Sequence, residues 1–205
     1  STGIRGGFLA GWEFDWKRFK IPPRQVASAN PLQFLLLEAA ADALDDAGYG
    51  DKPFDRSRTG TVVGTMFRND FISTCWQPGW LGELRRQIES ALARYGTSPV
   101  CVAEISQQYG EVYLRSHLAF TDESGSGSSS TLSGRIAKHF DLMGGAMSID
   151  AGDVSASAAI RTAIDLLTSR RCDMVLAAAG QRSTDLAVFE EFAQAGELPD
   201  SSVDM

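Results

Sequence analysis

Histidine, cysteine and long apolar runs are all scarce in this chain. It has 2 His and 3 Cys in 205 residues. Cys75, Cys101 and Cys172 are odd in number and lack metal-ligand spacing, so reduced thiols and no metal site are expected. His117 and His139 both fall in predicted helices, where a surface or capping role is expected rather than catalysis. No apolar run approaches the roughly 18 residues that span a bilayer, so no membrane association is expected. The start shows no basic segment followed by an apolar one, so no signal peptide is expected and a cytoplasmic location is. Basic residues are outnumbered, 19 against 26, for a net charge of −7. That balance argues against a nucleic-acid footprint and against anionic lipid. There is no internal repeat and no heptad pattern. What remains is an ordinary composition, 43% hydrophobic and 22% charged, with enough apolar residues for one sizeable core or part of a larger one.

The most informative stretch is Phe140–Leu167, FDLMGGAMSIDAGDVSASAAIRTAIDLL. Ala146–Asp150 reads as a strand and Ala151-Gly152 as a tight turn. Val154–Leu167 reads as a helix whose apolar positions Ile160, Ala163, Ile164 and Leu167 mark its buried face. Asp153 then lies at the helix N-terminus, where backbone N–H groups are unpaired and the dipole favours an anion. A nucleophile would be exposed and activated there. Cys172–Ala179, CDMVLAAA, is a second buried strand, so this region forms a βαβ unit, normally parallel and right-handed.

Upstream, Ser1–Lys20 is rich in aromatics (Phe8, Trp12, Phe14, Trp16, Phe19) and is broken by Ile21-Pro22-Pro23. These aromatics are expected to pack on the domain. Asn30-Pro31 opens a helix with a wide apolar face, Leu32 to Leu44, and Gly48 stops it. Thr59–Thr65 is a buried strand with glycines that let another backbone approach. Leu81–Tyr95 reads as an amphipathic helix, and a second runs from Val102 to about Leu118. Asp122–Ser130, DESGSGSSS, is a flexible stretch, read as a loop inside one domain with a domain boundary as the alternative. Thr131–Phe140 is a short helix. Pro199–Met205 reads as a polar tail.

Several runs resemble the β-ketoacyl synthases, the condensing enzymes of fatty-acid and polyketide synthesis. Phe140-Asp141-Leu142, Gly144-Gly145 and Ile149-Asp150 are similar to the approach to that family's nucleophile, an Ala-Cys-Ser-Ser run. Asn30-Pro31-Leu32-Gln33-Phe34-Leu35-Leu36-Leu37-Glu38 resembles its Asp-Pro-Gln-Gln-Arg-Leu-Leu-Leu-Glu. Ala43-Leu44-Asp45-Asp46-Ala47-Gly48 resembles its Ala-Leu-Glu-Asp-Ala-Gly. Thr131–Phe140, and Phe189, Phe192, Ala193, Gly196 and Leu198, follow similar patterns. The helical region between strand and loop looks most like that of polyunsaturated-fatty-acid, enediyne and related iterative synthases.

The resemblance implies a thiolase-like layered α/β fold, here its N-terminal half, with a central mixed or parallel sheet and flanking helices. Residues 1–205 form one partial ketosynthase-like domain. It divides into an aromatic N-terminal segment at 1–30, a helical insertion with Gly/Ser loop at 66–130, and the elbow βαβ region at 131–199. The family's first strand and the half carrying its two catalytic histidine motifs do not occur in this sequence. Asp153 stands at the position of the catalytic Cys, and this one candidate catalytic residue has two readings. One is a helix N-cap. The other is a replaced nucleophile that forms no acyl thioester and repels an incoming malonyl carboxylate. Asp150 is expected to hold the elbow backbone.

By resemblance, the chain is a condensation-inactive subunit or fragment of a fatty-acid or polyketide synthase. It would pair with a competent ketosynthase as a homo- or heterodimer and shape the acyl tunnel, as chain-length factors do. The alternative is an acyl-transferring or decarboxylating domain of a longer synthase. No bound cofactor is expected. The phosphopantetheine arm of an acyl-carrier protein would be the substrate carrier, with Arg85-Arg86 and Arg170-Arg171 as local basic patches for that partner.

Overall fold

The computed structural model describes residues 9, 11–66, 70–116, 128–182 and 192–196, with 70–79 and 115–116 described by backbone alone. The described elements are α1 (Pro23–Ser28), α2 (Leu32–Asp46), β1 (Thr59–Gly64), α3 (Asp70–Arg94), α4 (Pro99–Ser116), α5 (Ser130–Phe140), β2 (Ala146–Ile149), α6 (Ser155–Thr168) and β3 (Met174–Ala179). They fall into two compact units. One comprises the chain up to Asp70 and from Glu123 onward, and the other is Phe71–Asp122. Among the described residues, no helix is long and apolar enough to cross a membrane.

The first unit is built on a parallel sheet of order β2-β1-β3. β1 pairs with β2 from Thr61–Ala146 to Gly64–Ile149, and with β3 from Thr59–Met174 to Gly64–Ala179. The expected βαβ unit β2-α6-β3 is present, and β1 is inserted between its two strands. Every residue of β1 is buried, as a strand covered on both faces requires. On one face, Val63 packs with Leu32, Leu36 and Ala40 of α2 and with Leu132 and Ile136 of α5. On the other lies α6, whose Ala159 and Ala163 are buried.

α2 is apolar on two sides, and both are used. Its sheet side carries Leu32, Leu36 and Ala40. Its opposite side, Phe34, Leu37 and Ala41, packs with Phe14, Phe19 and Ile21. The N-terminal aromatics therefore cover the helix. Phe14 stacks on Phe19 at 5.0 Å and meets Phe34 at 4.8 Å. The Trp12 indole N–H donates to Glu38 at 2.6 Å. Phe8 lies outside the described residues.

The helix ends follow local chemistry. Asn30 Oδ1 accepts from the Leu32 amide at 3.0 Å, the side-chain cap that opens α2. Gly48, at φ +75°, closes it, with the Tyr49 amide donating back to Leu44 at 2.7 Å. α5 closes at left-handed Asp141, and the Leu142 amide returns to Ala137 at 2.8 Å.

In the second unit, α3 begins eleven residues earlier than the amphipathic pattern at Leu81 suggests. Its helical backbone runs through Pro78-Gly79. α4 spans Pro99–Ser116 rather than beginning at Val102. The Ser106 hydroxyl donates to Glu89 at 2.7 Å between the two helices.

Candidate functional site

The elbow between β2 and α6 is positioned by close backbone approach. A Cβ on Gly64 would lie 2.3 Å from the Ser155 carbonyl oxygen, and one on Gly144 would lie 2.6 Å from the Thr59 carbonyl carbon. Only glycine permits β1 to run this near the first turn of α6. The Thr65 amide donates to Ile149 at 2.9 Å and ties the end of β1 to the end of β2. The turn itself needs Gly152, at φ +59°.

Side chains then fix the turn. Asp150 Oδ1 accepts from the Gly152 amide at 3.2 Å, an Asx-type turn. This is the backbone-holding role expected for Asp150. Ser155, buried, accepts from the Ala151 amide at 2.9 Å and donates to the Gly152 carbonyl at 2.6 Å. Ser155 thus closes a ring across the elbow on its own. A Ser at the first helical position is an ordinary sequence feature, and nothing in the sequence marks its bridging role.

Asp153 sits at the tip of this turn and is exposed. The N-cap reading is corrected here. α6 begins at Ser155, its cap position is Val154, and no side chain caps the helix. Gly152 at positive φ turns the chain so that the carboxylate has no hydrogen bond among the described residues. The first turn of α6 carries no acidic residue. Asp153 is left with an exposed carboxylate at the tip of the elbow, while its backbone bridges to Ala151.

The face assigned to α6 is also corrected. The stripe buried against the sheet is Ser155, Ala159 and Ala163. Ile160, Ile164 and Leu167 are 56%, 48% and 41% exposed. Small residues face the sheet because β1 comes so near, and the large apolar residues point away. β3 pairs on one side with β1, and its other edge carries no strand among the described residues.

The remaining candidates separate clearly. Cys172 is buried with its thiol against the Gly144 carbonyl at 3.3 Å, a core position as expected. Cys101 is exposed. The side chain of Cys75, and all of His117, lie outside the described residues. His139 lies in the last turn of α5, its ring 5.2 Å from Phe19 and 4.8 Å from Phe140. Partial burial pushes its imidazole below its ordinary value. Of the basic pairs, Arg86 is engaged with Glu83 at 2.5 Å, and Arg85 packs at Gly110 of α4. Arg170 adopts φ 56° and its carbonyl accepts from Arg58 at 2.8 Å.

Comparison with known proteins identifies the arrangement. Residues 2–202 match the family described as Beta-ketoacyl synthase, N-terminal domain. The chain is 30% identical over 178 residues to the PKS-NRPS hybrid synthetase ATPKS of Aspergillus niger, covering 86% of this chain and 8% of that protein. It is 29% identical over 199 residues to the spectinabilin polyketide synthase system protein NorB of Streptomyces orinoci, covering 96% and 7%. The chain therefore spans less than a tenth of these curated relatives. In fold, it is similar to the ketosynthase from module 6 of the bacillaene synthase of Bacillus subtilis 168 (TM-score 0.60, 18% identity, 90% of this chain and 24% of that one). It is also similar to the ishigamide ketosynthase/chain length factor (TM-score 0.53, 19% identity, 95% and 44%). The fold is the α/β fold of the ketosynthases, and the chain belongs to the β-ketoacyl synthase N-terminal domain family.

Proposed function

We propose that this chain is the elbow-bearing part of a ketosynthase-like unit that does not condense, because Asp153 occupies the place of the nucleophile. The observation that carries this reading is the elbow itself. It is built on Gly64, Gly152, Asp150 and Ser155, and it presents a carboxylate that caps nothing. A carboxylate does not hold an acyl group as the thioester that carbon–carbon bond formation draws on. A carboxylate there repels the malonyl carboxylate whose loss would drive the reaction.

In this reading the unit pairs with a competent ketosynthase and helps shape its acyl tunnel, and the acyl chain arrives on the phosphopantetheine arm of a carrier protein. The open edge of β3 and the apolar stripe Ile160, Ile164 and Leu167 are the surfaces suited to being covered by further protein. The small share of its relatives that the chain spans favours a second reading, in which these residues belong to a longer synthase and Asp153 serves decarboxylation. Malonyl-loaded carrier protein separates the two. Carbon dioxide release by the full-length protein that disappears in Asp153→Asn supports the second reading and rejects the first. Absence of release, with a dimer seen by native mass, supports the first.

A further inference from the structure

A basic groove shares no lining residue with the elbow. It runs between the turn at residues 15–22 and the face of α5, with a volume of about 820 Å³, within the roughly 300–1,000 Å³ of small-molecule sites. Four cations line it, Arg18, Lys20, Arg135 and Lys138, and no carboxylate does. In a chain with net charge −7 this is a local concentration of positive charge against the background.

The cations are not equivalent. Arg18 is paired with Asp45 at 3.3 Å and Asp42 at 3.6 Å. Lys20 and Lys138 have no ion pair among the described residues. Arg135 is half-buried and held entirely by neutral groups. Its Nε donates to Gln33 Oε1 at 2.6 Å and its Nη1 to Gln25 Oε1 at 3.4 Å, while the guanidinium lies 4.9 Å from the Phe34 ring. Its Nη2 has no protein acceptor among the described residues. A partly desolvated guanidinium fixed by two amides and a ring, with donors to spare, is preorganised for an oxyanion. Lys20 is fixed too. It adopts φ 53° and closes the turn in which the Ile21 amide donates to Trp16 at 3.0 Å. Phe19, Ile21 and Pro22 supply apolar wall.

We propose that this groove binds a phosphate monoester, with the phosphate among Lys20, Arg135 and Lys138 and the organic group against Phe19, Ile21 and Pro22. Three uncompensated cations suit a dianion better than a carboxylate or a diester, and the apolar wall favours an ester over free phosphate. The site is independent of the reading of Asp153 and needs no carrier protein for its test.

Calorimetric titration of the full-length protein with phenyl phosphate, inorganic phosphate and dimethyl phosphate at physiological salt tests it. Phenyl phosphate is expected to bind about tenfold tighter than either of the others. Lys138→Ala and Lys20→Asn, the latter keeping a residue tolerant of positive φ, are each expected to weaken it several-fold. Both are exposed, so neither threatens the fold, whereas Arg135→Gln removes an internal contact and is read only alongside them. Equal binding of monoester and diester would place a diester, such as a carrier arm or lipid headgroup, in the groove and overturn the proposal. So would binding unchanged in both lysine variants, or binding that vanishes at physiological salt.

Discussion

At the scale of single residues, the elbow is governed by where side chains are absent. Gly64 leaves no room for a methyl group, because the atoms it would meet are the backbone of Ser155 and Ala156 rather than a movable side chain. Gly82, in α3, has open space where a methyl group would lie, with no atom beyond the local helix backbone within 4 Å among the described residues. Gly64→Ala is expected to cost about 1–3 kcal/mol or more through overpacking. Gly82→Ala is expected to gain about 0.5–1 kcal/mol by removing helix-interior glycine. Urea unfolding of the pair reads both signs in one experiment. Asp153 gives the complementary case. Since it is exposed and caps nothing, Asp153→Ala is expected to change stability by less than about 0.5 kcal/mol. A loss above about 1 kcal/mol would restore the capping role that the sequence suggested. The sequence misled here because a lone acidic residue before a helical period is the ordinary signature of a cap. The turn at Ala151-Gly152 was legible, but nothing in the pattern shows that the cap position falls one residue beyond Asp153, at Val154. Asp150 and Cys172 were legible, one because Asp before a turn accepts from the backbone two residues on, the other because it opens an apolar strand.

At the scale of elements, periodicity named α6 but misassigned its faces. The rule that large apolar residues mark the buried side fails where a helix lies against glycine-bearing strand. There Ser155, Ala159 and Ala163 meet the sheet, and Ile160, Ile164 and Leu167 form a second apolar side. The same double-sidedness in α2 is satisfied within the chain by Phe14 and Phe19. That covering was legible because the aromatic segment had no other core to join. The place of β1 between β2 and β3 was not legible, since strand order depends on contacts far apart in sequence. One polar clamp joins the starts of β1 and β3. Arg58, just before β1, donates to Asp173, just before β3, through Nε at 2.6 Å and Nη2 at 2.7 Å. The hydrogen-bonded Arg58 guanidinium holds the Asp173 carboxyl below its ordinary value. A carboxylate whose value is lower folded than unfolded stabilises the fold at pH above the ordinary carboxylate range. That contribution is lost as pH falls through the lowered value. Melting temperature followed from neutral pH into acid is expected to drop less steeply in Asp173→Asn than in the wild type. Parallel curves would show that the clamp contributes nothing beyond solvent-exposed contact.

At the scale of the whole molecule, a chain of this family carries an exposed carboxylate, Asp153, at the tip of its elbow. The approach of β1 to α6 and the turn at Gly152 set where that side chain lies. The family and its fold were legible in short runs such as Phe140-Asp141-Leu142 and Gly144-Gly145, because each run meets a backbone requirement. Gly144, for instance, sits where its amide donates to Thr59 at 2.9 Å. The basic groove was not legible, since Lys20, Arg135 and Lys138 come from segments more than a hundred residues apart and meet only after α2 and α5 pack.

The most direct measurement is the intact mass of the full-length protein after exposure to an acyl thioester, with the modified residue located by peptide digestion. The expected result is no acyl group at position 153 in the wild type, and one acyl group there in Asp153→Cys, carried as a thioester by an elbow already built to expose and activate a thiol. An acyl group on the wild-type elbow that is absent from Asp153→Asn would contradict the account, because the carboxylate would then be acting as the nucleophile it is held to replace.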